Sequence, residues 1–540
     1  MTNPFLALEG VSYVLPDGRT LFSDLNGQFG LQSTGLVGRN GIGKTVLADI
    51  LAGMLPPTAG RCVCSGRVYY LRQQISYPVN ISVAGLAGLQ HRFDALERIE
   101  AGSTAPEDFE AVGDRWDVRL QLQEELERNG LGYLHAAVPV SELSGGEASR
   151  VALIGAMLSE ADFLILDEPS NHLDRQSRQA LFEQLQRWSQ GLVVVSHDRQ
   201  LLESMARIVE LSPLGLRSYG GAYSFYAQSK EREQQSAIQQ LEQCKLERRR
   251  NERTLHEQHE RQERRQAQGN RNRHAANQAR ILLDRQQERS ESSAGKLRKQ
   301  HVATRERLAL QVQEAARQVE DCAVIVLHTL PVAQVPQRCI AELDAVALPF
   351  GSGAAHHISL TLFGRQRVGV VAANGSGKST LLKVLAGQLQ PLSGRCSVIS
   401  GVVYLDQHLS NLEPQRSVLA HMLEANRSAG EEHLRMLLAQ LGLDAHKISR
   451  PSALLSGGER LKASLACVLY ADPVPQMLLL DEPNNHLDLP SMHALETMLL
   501  NYRGSLVVVS HDGIFLNSLG LTHRLSTNAQ GWRLEPWPAT

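Results

Sequence analysis

The clearest chemistry in this chain of 540 residues lies in eight of them, Gly38-Arg39-Asn40-Gly41-Ile42-Gly43-Lys44-Thr45. Glycines at these spacings let backbone N–H groups turn inward around a phosphate. Lys44 is placed to reach the β- and γ-phosphates, and Thr45 offers a hydroxyl to Mg2+. The stretch Gly35-Leu36-Val37 leads into this loop and the run VLADILAGML leaves it, so a helix N-terminus adds its positive dipole end. The pattern recurs as Ala372-Ala373-Asn374-Gly375-Ser376-Gly377-Lys378-Ser379, followed by Thr380. Its first glycine has become alanine, which a P-loop pattern tolerates.

Partners for a phosphate follow downstream, also in duplicate. Two apolar runs end in Asp167 and Asp481, carboxylates that can hold Mg2+ through water. The next residues, Glu168 and Glu482, are placed to orient and deprotonate an attacking water. His197 and His511 each follow a VVVS run, where an imidazole can contact the γ-phosphate. Gln73 and Gln407 can ligate Mg2+ and sense the γ-phosphate. Ser144-Gly145-Gly146 and Ser456-Gly457-Gly458 form a second glycine-rich grip, each ahead of helix-like sequence. Any one of these pieces alone reads as a turn or a solvated loop. The ordered set, twice over, binds nucleotide.

The spacing shows what must position them. Lys44 to Lys378 and Gln73 to Gln407 are both 334 residues, whereas Ser144 to Ser456 is 312, so the first copy carries 22 extra residues between Gln73 and Ser144. Asp167 to Asp481 and His197 to His511 are both 314. The chain is an internal duplication of about 220 residues per copy. We expect one cassette over 1–227, with a short insertion within 75–140, and another over 326–540. Each alternates strands and helices, which argues α/β layers.

The segment 228–325 is of another kind. No Phe, Trp or Tyr occurs from Ala227 to Pro349, and no proline from Leu214 to Leu330. Leu308, Val312, Ala315 and Val319 repeat at coiled-coil spacing. The composition predicts a long antiparallel helical hairpin, turning at Gly269-Asn270, with arms of about 35–45 residues and on the order of 50–65 Å of reach. Residues 229–320 hold 21 Lys and Arg against 14 Asp and Glu, while the rest of the chain holds 34 against 43. A basic rod between acidic neighbours points to a polyanionic partner. Arg271, Arg273 and Arg280, close to the expected tip, are candidates for that contact, and the resemblance given below implies RNA phosphate as its object.

Composition excludes other classes. There is no run of 18 apolar residues, and MTNPFLALEG lacks a basic segment ahead of an apolar one, so neither a spanning helix nor a secretory signal is expected. Seven scattered cysteines without CxxC argue against disulfides, zinc ribbons and iron–sulfur clusters. A cytoplasmic setting follows.

The order of P-loop, Gln, LSGGE, LDEP and SHD resembles the ATP-binding cassette (ABC) ATPases across nearly all of 1–227 and 335–540. The resemblance implies two P-loop ABC domains that sandwich two ATP molecules, with Mg2+, head-to-tail. Lys44 and Glu168 would then share one ATP with Ser456-Gly457-Gly458, and Lys378 and Glu482 the other with Ser144-Gly145-Gly146. Asp174 and Asp488 would lie at the interface. An aromatic stacks on adenine in many relatives: Tyr13 fits in the first copy, whereas Leu348 holds the matching place in the second, with Phe350 a possible substitute. The endings Asn171-His172-Leu173-Asp174 and Asn485-His486-Leu487-Asp488, with the long charged linker, are similar to the ABC-F branch in particular. That branch implies an ATP-hydrolysing, ribosome-associated translation factor, in some cases protecting ribosomes from antibiotics, whose hairpin contacts tRNA and rRNA. Cassette pairing within one chain implies a monomer. The alternative is a transporter motor docking on separate membrane subunits, but such double cassettes are usually joined by a short linker.

Overall fold

The computed structural model describes residues 4–72, 81–171, 173–275, 302–316, 339–349, 356–407, 409–485, 487–528 and 531–538, with backbone alone over 265–275. These residues form two compact units, one from Met1–Phe225 with Ile325–Thr540 and the other from Tyr226–Val324.

The first unit holds both cassettes. FLILD and GLVVV, like MLLLD and SLVVV, are apolar throughout because both faces of a parallel sheet are covered, and all four strands are fully buried. In the first cassette six strands lie in the order Val68–Leu71, Phe163–Asp167, Gly191–Val195, Ser33–Gly38, Arg207–Ser212 and Gly215–Gly220, the last pair antiparallel. The second repeats that order with Val402–Leu405, Met477–Asp481, Ser505–Val509, Arg367–Val371, His523–Asn528 and Gly531–Pro536. A three-stranded antiparallel sheet accompanies each, centred on Phe5–Val14 and on Cys339–Ala347. The phosphate-binding loops leave the carboxyl ends of Ser33–Gly38 and Arg367–Val371, flanked in each sheet by the strand that ends in VVV. Ligands of open α/β sheets bind at such carboxyl ends.

Between strand and signature helix each cassette inserts a helical layer. In the first it comprises Val83–Leu86, Gln90–Glu100, Pro106–Val112 and Val118–Arg128. Phe93, Leu96, Leu122 and Leu126 there close a core with Val151 and Ile154 of the helix Gly145–Leu158. The second has Val418–Ala425, Glu431–Gln440 and Ala445–Ser449 instead. Among the described residues the layer of the first cassette thus has four helices where that of the second has three.

The second unit is helical. One helix runs from Tyr223 to Ala275, 53 residues, or roughly 80 Å at 1.5 Å per residue. It passes straight through Gly269-Asn270, so the turn expected there is not there, and the first arm is longer than its sequence reading. A glycine in a solvated helix costs about 1 kcal/mol relative to alanine. That is too little to stop a helix flanked by Gln, Arg and Ala and free of proline. Residues 302–316 form a second helical stretch, in which Leu308 and Ala315 are buried while Leu310 faces solvent. The return turn, Arg280 and Val319 lie outside the described residues. Among the described residues no helix is long and apolar enough to cross a membrane.

Candidate functional site: two phosphate cradles facing across a cassette plane

Each P-loop needs glycine where its chain turns left-handed, with φ of 78° at Gly41 and 105° at Gly43, and 75° and 90° at Gly375 and Gly377. The helices Lys44–Leu51 and Lys378–Leu385 start directly on these turns, so their free N–H groups open toward the cradle. Lys44 Nζ donates to the carbonyls of Gly38 at 2.9 Å and Arg39 at 3.2 Å. Lys378 Nζ donates to those of Ala372 and Ala373, both at 3.0 Å. Burial pushes both ammonium groups below the usual lysine range, and the carboxylates facing them only partly restore it. The loops differ at four places, Gly38, Arg39, Ile42 and Thr45 against Ala372, Ala373, Ser376 and Ser379. At the first, Gly38 has φ 155° and a Cβ there would stand 2.5 Å from the Leu211 carbonyl oxygen.

The two glutamates are held in an unusual backbone state. Glu168 has φ 50° and Glu482 φ 47°, left-handed values that few residues with a side chain adopt. Each is pinned by its own amide, which donates to Val195 O at 2.8 Å or Val509 O at 3.0 Å. Strain held this way clusters at functional sites. Burial pushes the Glu168 carboxyl up to about 8 and that of Glu482 to about 7, against the pull of Lys44 and Lys378. His197 Nε2 stands 3.6 Å from Glu168 Oε1, and His511 Nε2 stands 3.3 Å from Glu482 Oε1. Burial and the nearby lysines push the imidazoles down to about 3 and about 4, so both are neutral near pH 7. They can therefore donate or accept one hydrogen bond without adding charge.

Of the residues expected to hold Mg2+, Asp167 and Asp481, with Thr45 and Ser379, offer donor types that Mg2+ takes. Asp167 is buried, and neither oxygen completes an ordinary hydrogen bond, although the Thr45 hydroxyl beside it pulls its raised carboxyl back down. Asp481 accepts from the Tyr404 hydroxyl at 3.0 Å. Among the described residues no cluster of three His, Cys, Asp or Glu exists. One carboxylate and one hydroxyl, with phosphate and water supplying the rest, is how Mg2+ is commonly bound. Thr45 and Ser379 are the second residues of these helices, directly after each lysine. Gln407 is exposed in the turn after Val402–Leu405, and Gln73 and Phe350 lie outside the described residues.

Ser144 and Ser456 cap the helices Gly145–Leu158 and Gly457–Leu469 in complete capping boxes, with Glu147 and Glu459 answering. Gly458 is obligatory, because a Cβ there would stand 2.4 Å from Ser491 Oγ. Tyr13 is half-buried with its ring 6.4 Å from Phe22, while Leu348 is wholly buried.

The cassettes meet through their phosphate loops. Asp488 caps its own helix by accepting from Ser491 N at 2.9 Å, and its other oxygen accepts from Asn40 N of the opposite P-loop, also at 2.9 Å. Asp174 does the reciprocal, capping Ser177 and accepting from the Asn374 amide. Lys462, on the second signature helix, lies within the field of Arg39 and Asp488. Each P-loop is thus met by the aspartate that caps a helix of the other cassette, and Lys462 of the second cassette lies near the first.

Sequence reasoning missed the charged groups that stitch this plane. Arg199 Nη1 of the first cassette lies 2.8 Å from Glu496 Oε1 of the second, both buried. A second buried pair lies within the first cassette, where Arg178 Nη1 stands 3.5 Å from Asp198 Oδ2. The available signal was the duplication itself. At the 314-residue offset of the histidines, these arginines stand opposite Gly513 and Met492, and Glu496 opposite Phe182.

Comparison with known proteins agrees with this geometry. The family described as ABC transporter matches residues 30–171 and 355–485. The probable ATP-binding protein YheS of Haemophilus influenzae is 30% identical over 502 residues, spanning 89% of this chain and 73% of that protein. The energy-dependent translational throttle protein EttA of Mycobacterium tuberculosis is 30% identical over 511 residues, spanning 89% and 84%. The ribosome protection protein VmlR of Bacillus subtilis is 28% identical over 519 residues, spanning 95% and 84%. Among solved structures, that of archaeal ribosome recycling factor aABCE1 with ribosomal stalk protein aP1 shares the fold, with a TM-score of 0.54 at 17% identity over 97% of this chain and 89% of that one.

Proposed function

Because the chain belongs to the ABC family, and within it to the ABC-F proteins, we propose that it is an ATP-hydrolysing translation factor that grips the ribosome when its cassettes close. One observation carries the mechanism: Asp488 bonds the opposite P-loop at Asn40. Nucleotide at either lysine therefore lies in the plane between cassettes, and its γ-phosphate is felt by both.

The roles follow from the geometry. Backbone amides of 39–45 and 373–380 wrap the phosphates, and Lys44 and Lys378 neutralise them. Glu168 and Glu482 take a proton from the attacking water. His197 and His511, neutral, hold that water or the γ-phosphate. The N-termini capped by Ser144 and Ser456 meet the γ-phosphate bound to the other cassette. Mg2+ at Thr45 and Asp167, or at Ser379 and Asp481, would supply charge neutralisation at the phosphate oxygens. Loss of the γ-phosphate removes the contact that favours closure.

The ribosome enters from the relatives, named for throttling translation and for ribosome protection, and from the basic rod between the cassettes. Arg271, Arg273 and Arg280 would meet tRNA or rRNA phosphate. The working place of such a factor is the cytoplasm, and one chain with both cassettes needs no second copy. Glu168→Gln with Glu482→Gln keeps size while removing both bases. That variant should bind ATP, stay closed and co-sediment with ribosomes. It should inhibit a translating extract more than Lys44→Ala with Lys378→Ala does. Wild-type hydrolysis in the double Gln variant, or sedimentation with membranes instead, refutes the reading.

A further inference from the structure

We infer that Tyr404 is a positioning residue for the metal of the second ATP site. Its hydroxyl fixes the orientation of Asp481, whereas the first site carries the same tyrosine in the same place without that bond. This rests on the reading of Asp167 and Asp481 as the carboxylates that hold Mg2+.

The sheets bring each tyrosine to its aspartate. Val402–Leu405 pairs in parallel with Met477–Asp481, and Tyr404 lies opposite Leu479. Residues two apart share one face of a sheet, so Asp481 lies on the same face as Tyr404, one step nearer the carboxyl ends. The first cassette repeats the register: Tyr70 lies opposite Ile165, and Asp167 follows two residues on. The outcome differs. The Tyr404 hydroxyl donates to Asp481 Oδ2 at 3.0 Å. The Tyr70 hydroxyl is buried and completes no hydrogen bond, and neither does either oxygen of Asp167.

The surroundings of the two tyrosines explain the difference. Arg72 Nη2 stands 2.9 Å from Asp49 Oδ1, and its guanidinium lies over the Tyr70 ring, 5.7 Å from the centroid. Tyr70 is therefore beside an ion pair whose carboxylate competes with Asp167 for its hydroxyl. At the 334-residue offset the second cassette has Lys383 for Asp49 and Asp406 for Arg72, so the charges are exchanged. Asp406 accepts from the amide and hydroxyl of Ser410. The Tyr404 hydroxyl goes to Asp481.

Burial, and then the negative charge of Asp481, push the Tyr404 hydroxyl above the usual tyrosine range, so it stays a donor. A carboxylate with one oxygen held by a fixed donor presents the other in one orientation. Mg2+ demands near-octahedral geometry and takes few protein ligands, so a misaligned carboxylate is costly. The competing account is that the bond only satisfies a buried hydroxyl.

The two accounts separate in the coupling of metal to nucleotide, read as the ratio of affinities for a fluorescent, non-hydrolysable ATP analogue in Mg2+ and in EDTA. A Lys44→Ala background confines the analogue to the second site, and Lys378→Ala to the first. In the former, Tyr404→Phe should lower the ratio about tenfold, the low end for losing a group that orients a metal ligand. Affinity in EDTA and the melting temperature should hold. In the latter, Tyr70→Phe should leave the ratio nearly unchanged, because the hydroxyl it removes bonds nothing. An unchanged ratio in Tyr404→Phe, whether both affinities hold or both fall, would overturn the inference, as would an equal effect of Tyr70→Phe. Failure of the underlying reading looks different: Asp481→Ala would itself leave the ratio unchanged.

Discussion

The ion pair between Arg199 and Glu496 should act as a latch on the closed state, and its strength can be worked out. The two side chains belong to different cassettes, meet at 2.8 Å and are 10% and 7% exposed. Separation of the cassettes would return both side chains to water. Removing one partner from a buried pair costs about 3–5 kcal/mol, because the other charge stays buried alone. Arg199→Met strands Glu496, though not completely: His493 Nδ1 remains 3.8 Å away and the Ser518 hydroxyl still pulls its carboxyl down. The low end, about 3 kcal/mol, is therefore expected, and it falls on closure alone, which is roughly 150-fold in the closing equilibrium. The assay is ATP-driven closure, followed by energy transfer between dyes on the two cassettes, in the Glu168→Gln, Glu482→Gln background. Adding Glu496→Leu to Arg199→Met should restore most of the lost closure, since apolar replacement of both partners is often neutral. The wild-type pair should also resist salt, being shielded from it. If Arg199→Met closes like its parent, or if the two substitutions merely add, the pair is not a latch.

The buried glutamates and histidines set opposing pH dependences in the nucleotide-free protein. The folded carboxyls keep protons up to about 8 and about 7 against 4.5 unfolded, so stability should fall as pH rises above 6.5; below 4.5 it should fall again, because the histidines, at about 3 and about 4 folded against 6.5 unfolded, must be charged only on unfolding. Between those limits the two slopes cancel. Thermal melting at pH 6.5 and 8 should show the alkaline loss in wild type and not in Glu168→Gln with Glu482→Gln, and parallel curves would count against buried protonated carboxyls. At the rod, changing Arg271, Arg273 and Arg280 to Glu should weaken ribosome binding and flatten its salt dependence, roughly one unit of slope per lost phosphate contact. ATP binding at the cassettes should be unchanged, and a triple variant that translates like wild type would make the tip a spacer.

What could be read without coordinates was what repetition and strong local chemistry encode. Two P-loops, two carboxylates ending apolar strands and two capped SGG turns all carry their geometry in short windows. Glycines at Gly41, Gly43, Gly375 and Gly377 are demanded by left-handed φ, and such demands are local. The fold class followed from the same pattern, because strands buried on both faces must be apolar without alternation. The turn at Gly269-Asn270 misled for the same reason. Local propensity is worth about 1 kcal/mol there, and a 53-residue helix without proline outweighs it. Glu168 and Glu482 were legible as candidate bases but not as strained residues, since their backbone state is imposed by amides bonded to Val195 and Val509 on a neighbouring strand.

Arg178 and Arg199 show the other limit. Each sits among charged residues on a surface helix or loop, and a sequence reader assigns such residues to solvent. They are buried because a second cassette, some 314 residues further along, closes over them. No window of the first copy contains that information. The comparison of copies does: a motif repeated with near-constant spacing marks what both sites need, and a charge present in one copy alone marks where they were allowed to diverge. Every inter-cassette guanidinium described here comes from the first copy, and the acid it meets across the plane, Glu496, replaces a phenylalanine. A duplicated protein that kept both sets of candidate phosphate-binding residues but placed the arginine of its inter-cassette ion pair in one copy alone can give its two sites unequal control of closure. The order in which the sites fire should then follow from which cassette supplies the charge.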